Sequence, residues 1–255
     1  MRTIKLTISY DGTGYKGWQI QKNGPSVQGE IEKALKSLLK KATCLHGSGR
    51  TDSGVHARGQ VAHFKMSGNI PLSNIIDALN SLLPNDIVII GAEEINSDFH
   101  ARYDAKLKTY SYRIFNSKNP DPFLEKYSWR VPYTLNIPLM KREAAELEGR
   151  HDFKSFQATN KREGTSHSLS SPRKRGSIRN IYRLDIKKRG PEIIIDIEGN
   201  GFLYNMVRNI VGTLVDIARG HIPPGSMKKI LANKDRTTAG PTAPAKGLFL
   251  MEVKY

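Results

Sequence analysis

Arg2-Thr-Ile-Lys-Leu-Thr-Ile-Ser-Tyr10 sets Ile4, Leu6 and Ile8 at alternate positions among polar residues, the pattern of a half-buried strand. Pro25-Ser26 then reads as a helix start. Val27, Ile31, Leu35 and Leu38, spaced four, four and three apart, supply its apolar face. Further on, the pattern predicts a short strand over 43–46, a Gly-rich turn, a strand over 60–65, a helix over 75–83 stopped by Pro84, and a strand over 87–95. The order is βαββαβ.

The second half has the same order: a strand over 109–115, a helix over 137–147, strands over 178–187 and 192–198, a helix over 202–219 and a last strand over 247–253. The expected fold class is therefore α+β. Two ferredoxin-like βαββαβ halves, 1–104 and 105–255, lay helices on one face of mainly antiparallel sheets, with a central cleft as the site. The residues of the two halves show no identity; element order alone suggests the repeat.

Forty Lys and Arg against 24 Asp and Glu leave a net charge of +16, which calls for a polyanionic partner. The longest apolar run is Ile87-Val-Ile-Ile90, far short of the roughly 18–20 residues of a spanning helix. The first residues alternate where a signal peptide is continuously apolar, so a soluble cytoplasmic protein is expected. Cys44 is the single cysteine, and the seven histidines lack zinc-ligand spacing, so neither an internal disulfide nor a metal site is expected. Gly12-Thr-Gly-Tyr-Lys-Gly-Trp18 matches neither nucleotide-binding glycine loop, and no cofactor is implied.

Two segments carry candidate chemistry. The stretch 158–177 loses hydrophobic periodicity and holds Lys161, Arg162, Arg173, Lys174 and Arg175 against Glu163 alone. It reads either as a loop that grips phosphates or as a solvated insertion. In Gly49-Arg-Thr-Asp-Ser-Gly54 an acid is flanked by glycines, which permit tight turns and close approach of a ligand. An ordinary aspartate, with a pKa near ~3.9, is ionised at neutral pH and able to act as nucleophile or base. Turn chemistry alone favours a structural Asx-turn for Asp52; the nearby Arg50 and Arg58 favour a site for a polyanion.

Gly49-Arg-Thr-Asp-Ser-Gly-Val-His-Ala57 resembles the signature of the tRNA pseudouridine synthase A family. Tyr10-Asp-Gly-Thr-Gly-Tyr-Lys-Gly-Trp-Gln19, Ser26-Val-Gln-Gly29, Phe99-His-Ala-Arg102 and Lys108-Thr-Tyr-Ser-Tyr-Arg113 are similar to further family blocks, in the same order. So are Phe202-Leu-Tyr-Asn-Met-Val-Arg-Asn-Ile-Val-Gly212 and Pro241-Thr-Ala-Pro-Ala-Lys-Gly-Leu248. The resemblance spans the chain and implies the pseudouridine synthase fold.

It also implies an isomerase that converts uridine to pseudouridine without cofactor or metal, in the anticodon stem-loop of tRNA at positions 38–40, as a homodimer. By the same resemblance Asp52 is the catalytic aspartate, Arg50 helps displace the target base, Tyr110 is the active-site tyrosine and Arg208 pairs with the aspartate. Arg58, Arg173, Lys174 and Arg175 are expected to bind substrate. The residues themselves leave alternatives open. Tyr110 on an alternating strand reads as core, and Arg208 projects about 140° from the helix stripe of Leu203, Ile210 and Leu214, as an exposed Arg also would. The insertion at 160–177 exceeds the family's usual loop, which leaves a different RNA target open. A non-catalytic RNA-binding protein is the reading from another class.

Overall fold

The structure is a computed structural model and describes residues 1–158 and 176–255. The chain groups into two units. Unit 1 comprises residues 1–111, 122–128 and 245–255; unit 2 comprises 112–121 and 129–244.

In unit 1, β1 (Arg2–Tyr10) lies between β3 (His56–Met66) and β4 (Ile87–Ile95), antiparallel to both. Leu6 faces Ala62 on one side and Ala92 on the other. The alternation read from the sequence is the one that folds: Ile4, Leu6 and Ile8 are fully buried. They share the core with Val27, Ile31 and Leu35 of α1 (Val27–Leu39) and Ile75 and Leu79 of α2 (Leu72–Leu82). Ser26 caps α1 by accepting from Gly29 N at 3.2 Å, satisfying a donor that the first helical turn leaves unpaired. Asn80 ties α2 to β4, donating to Ile89 O at 3.0 Å and accepting from Ile89 N at 2.8 Å.

The short β2 (His46–Gly47) pairs with β3, later and shorter than the expected strand over 43–46. The last strand, β10 (Leu248–Lys254), runs parallel to β3, with Phe249 opposite His56. Element order assigns this strand to the second half; the structure groups it with the first. Side-chain periodicity reports which face a strand buries and carries no record of its partner.

Strand β5 (Leu107–Phe115) is divided between the units after Ser111. Unit 2 contains the strand order β9 (Glu192–Gly199), β8 (Ile178–Arg189), β7 (Gly149–Asp152), with β6 (Trp129–Arg130) parallel to β5. β8 and β9 are antiparallel, Ile186 opposite Ile195 and Leu184 opposite Ile197. α3 (Ile137–Ala145) opens on Asn136, whose side chain accepts from Leu139 N at 3.0 Å. α4 spans Met206–Ala218 where the sequence predicts 202–219, because Asn205 takes a left-handed φ of 57° and starts the helix late. α5 (Ser226–Asn233), β6 and β7 add to the expected elements; α5 buries only Met227, Ile230 and Leu231.

α4 is the buried axis of unit 2, with Ile210, Val211, Leu214 and Ile217 fully buried. The segment 240–243 crosses it closely: Gly240 N donates to Thr213 Oγ1 at 2.9 Å and Ala243 N to Arg208 O at 3.1 Å. A Cβ on Gly212 would stand 1.8 Å from Pro241 O, a clash that only backbone movement relieves. Among the described residues, no helix is long and apolar enough to cross a membrane. Gly212→Ala is expected to cost about 1–3 kcal/mol through overpacking, lowering the melting temperature by several degrees in a calorimetric scan; an unchanged melting temperature would contradict the crossing.

Candidate active site

The segment from Ser48 to Val55, between β2 and β3, carries Asp52 and is held on several sides within unit 1. Its strand-like start is fixed by Ser48 N donating to Val61 O at 2.7 Å, by Gln60 Nε2 donating to Gly49 O at 3.1 Å and by Lys108 Nζ donating to Ser48 O at 2.7 Å. The Tyr10 hydroxyl and Thr51 Oγ1 lie 2.7 Å apart and buried, fixing the residue next to Asp52. Trp18 N donates to Thr51 O at 3.1 Å, and Ser53 Oγ to Tyr15 O at 3.1 Å.

Two glycines allow this approach. Gly17, at φ +95°, would place a Cβ 2.5 Å from Thr51 O, and Gly12 would place one 2.0 Å from Val55 O. Asp52 O accepts from Val55 N at 3.1 Å, closing a turn in which Gly54 takes φ +77°. The segment is thus a turn, as its composition predicts, and a rigid mount for a half-buried carboxylate.

Tyr110 on β5 belongs to the same unit and is 9 % exposed. Burial holds its phenol well above the ordinary tyrosine range, with Tyr10, wherever that phenol is ionised, and the Asp52 carboxylate pushing it further. Tyr10 is raised by burial as well, against hydrogen bonds to Thr51 and Gln60. Both phenols remain protonated at neutral pH. The core reading of Tyr110 therefore holds together with its place in the electrostatic field of Asp52.

Arg50 and Arg58 are exposed, at the turn and on β3. Arg208 lies in unit 2, in the first turn of α4. Its Nε donates to Ala243 O at 2.7 Å and its Nη1 to Asn205 Oδ1 at 3.1 Å, which fixes the guanidinium's orientation. Arg173, Lys174 and Arg175 lie outside the described residues.

A second set of residues supports the Asp52 turn and escaped the sequence reading. His56, at the start of β3, approaches Asp11 Oδ1 at 3.0 Å through Nδ1, which also meets Gly12 N at 3.1 Å; its Nε2 lies 3.2 Å from Lys246 O. Burial lowers the His56 pKa and the Asp11 charge recovers only part, so the neutral ring prevails. Burial raises the Asp11 carboxyl, but hydrogen bonds from Thr13 and Tyr127 outweigh it and keep the group below its usual range. The Tyr127 hydroxyl donates to Asp11 Oδ2 at 2.8 Å. Partners separated by 44 and 116 positions leave no local signal to read.

Beside β2 and β3 the rings of His46, His63 and His100 cluster with centroids 5.0–5.6 Å apart. Burial and the neighbouring His100 and His46 push His63 down to about 4. Among the described residues, no group of three His, Cys, Asp or Glu side chains is placed to hold a metal ion.

Residues 6–104 and 144–255 match a family model described as tRNA pseudouridine synthase. The chain is 46% identical over 255 residues to "tRNA pseudouridine synthase A" of Thermoanaerobacter sp. (strain X514), covering all of both chains. It is 45% identical over 256 residues to the protein of the same name from Ruminiclostridium cellulolyticum, and 43% over 255 residues to that of Brevibacillus brevis, again over the whole of both. Among solved structures, an archaeal box H/ACA sRNP Nop10-Cbf5 complex aligns with 84% of this chain and 43% of that chain. Its identity is 12% and its TM-score 0.33, too low to bear on the site.

Because His56 and His63 bind protons less readily folded than unfolded, their contribution to stability is complete above about pH 6.5 and is lost as pH falls toward and through their lowered values. The urea midpoint is expected to fall as pH drops from about 6.5 to about 4, with His63→Gln flattening that fall; a midpoint that rises on acidification would contradict these shifts.

Proposed function

Since the chain belongs to the tRNA pseudouridine synthase family and is an isomerase that converts uridine to pseudouridine in tRNA, we propose that Asp52 is its catalytic residue. The observation that carries this reading is the mount of Asp52: a half-buried carboxylate on a loop fixed at Thr51, Gly49 and Ser48, acting electrostatically on a buried tyrosine. A carboxylate aimed at a reacting nucleoside has to be held by its supporting groups to within a fraction of an ångström.

The target uridine leaves its stack and reaches the Asp52 turn, the Tyr110 ring receives the base, and the exposed Arg50 fills the space it vacates. Asp52 then acts on the nucleoside as nucleophile or base. The bond between N1 and the ribose C1′ breaks, uracil turns, and C5 bonds to C1′ as the C5 proton departs and N1 takes one up. Atoms and electrons balance with no external reactant. Arg208 is assigned a part in the reaction by its sequence block, Phe202 to Gly212. The substrate uridines are those at positions 38–40 of the anticodon stem-loop, and the enzyme works in the cytoplasm as a homodimer. Arg58, with Arg173, Lys174 and Arg175 of the 158–177 segment, contacts phosphates. Support for these finer assignments comes from the sequence blocks around each residue and from the +16 charge.

The test is to incubate the purified protein with unmodified tRNA transcript and map pseudouridine. Asp52→Asn is expected to lower turnover by about 10³-fold or more while retaining tRNA binding; multiple turnover at the wild-type rate would refute the assignment. Replacing Arg173, Lys174 and Arg175 together with Gln should weaken tRNA binding and reduce the slope of log K against log salt by roughly 2–3; an unchanged slope would remove the segment from the binding surface.

A further inference from the structure

We propose that a cleft at the C-terminal end of α4, within unit 2, is a second tRNA contact, gripping phosphate while one unpaired base stacks on Tyr133. The cleft has a volume of about 560 Å³ and is lined by Lys118, Pro132, Tyr133, Thr134, Arg219 and His221, among others. Arg219 follows Arg208 by eleven residues on the same helix, a rise of about 16 Å at 1.5 Å per residue. The cleft is therefore separate from the position assigned to Arg208.

Its parts are held for binding. Asn116 Nδ2 donates to Val131 O at 2.9 Å and to Tyr133 O at 2.7 Å, anchoring the backbone of a tyrosine that stays 56% exposed. Arg219 places its guanidinium 5.3 Å from the centre of the Tyr133 ring. Its Nε and Nη2 meet Asp216 Oδ1, each at 2.9 Å. That pair uses two of five N–H donors and leaves Nη1 able to meet a phosphate oxygen. The resulting stack of ring and cation presents a flat face of the kind on which unstacked bases settle.

Lys118 adds a second positive charge, and Arg130 Nη1 donates to Lys118 O at 2.9 Å, bringing a third alongside. A helix C-terminus ordinarily repels anions. Here its carbonyls are occupied: Val215, Ile217 and Asp216 accept from the backbone N–H groups of Arg219, Gly220, His221 and Ile222. The anchored exposed aromatic favours a nucleic acid over an acidic peptide, since carboxylates gain nothing from the ring face.

The test measures tRNA binding by fluorescence anisotropy across a salt series, in full-length protein carrying Asp52→Asn so that chemistry does not intervene. Tyr133→Ala is expected to weaken binding about tenfold, consistent with loss of one stacked base. Lys118→Gln should lower the salt slope by about 0.7–0.9, the loss of one phosphate contact. Both positions are exposed, so the variants should keep the parent melting temperature; Arg219 is avoided because its removal strands the buried Asp216. Parent affinity and slope in both folded variants overturn the proposal. A response to Lys118→Gln without one to Tyr133→Ala overturns the base seat. Neither outcome depends on the role of Asp52, which is read separately from turnover.

Discussion

The constraint on which the Asp52 turn depends is the approach of two backbone segments at Gly12 and Gly17 to the carbonyls of Val55 and Thr51. No side chain fits at either position without moving the turn that lies between those carbonyls. Trp18 N–H, the Tyr10 hydroxyl and Ser53 Oγ add directional bonds across the same contact. A loop would otherwise be among the more mobile parts of a protein. Here it inherits the rigidity of β1 and β3, the most heavily paired strands of its unit, because its ends continue from β2 and into β3.

Much of this arrangement is written in the sequence, but at different ranges. Ile4, Leu6 and Ile8, and the helix face of Val27, Ile31 and Leu35, are legible because burial follows local periodicity. The acidic turn is legible because Gly49 and Gly54 flank it. By contrast, β7, the four residues Gly149-Arg-His-Asp152, lacks any apolar alternation, and α5 carries only three buried residues in eight. The parallel seat of β10 on β3 is fixed by pairing between residues nearly two hundred positions apart, on which composition is silent. The candidate site divides the same way. Asp52 is marked by its turn, whereas Tyr10, Lys108 and His56 act through partners brought in by the fold.

Tyr110 shows why core and site readings need not compete. A ring only 9 % exposed contributes to the packed interior of unit 1. The same burial keeps its phenol protonated beside a carboxylate, so the ring offers a flat, uncharged surface whose ionisation does not interfere with Asp52.

The protonation states around the turn lead further. Burial drives Tyr10 and Tyr110 up and His56 and His63 down, in each case toward the neutral form. A low-polarity surround of this kind strengthens whatever charges remain. With the neighbouring phenols and imidazoles uncharged at neutral pH, the electrostatics next to Asp52 are set by its own carboxylate and by basic groups such as Lys108, whose ammonium is held against Ser48 O. The proposed chemistry needs a single group that gives and takes charge while its surroundings stay fixed. A turn whose neighbouring phenols and imidazoles are held neutral meets that requirement with one carboxylate.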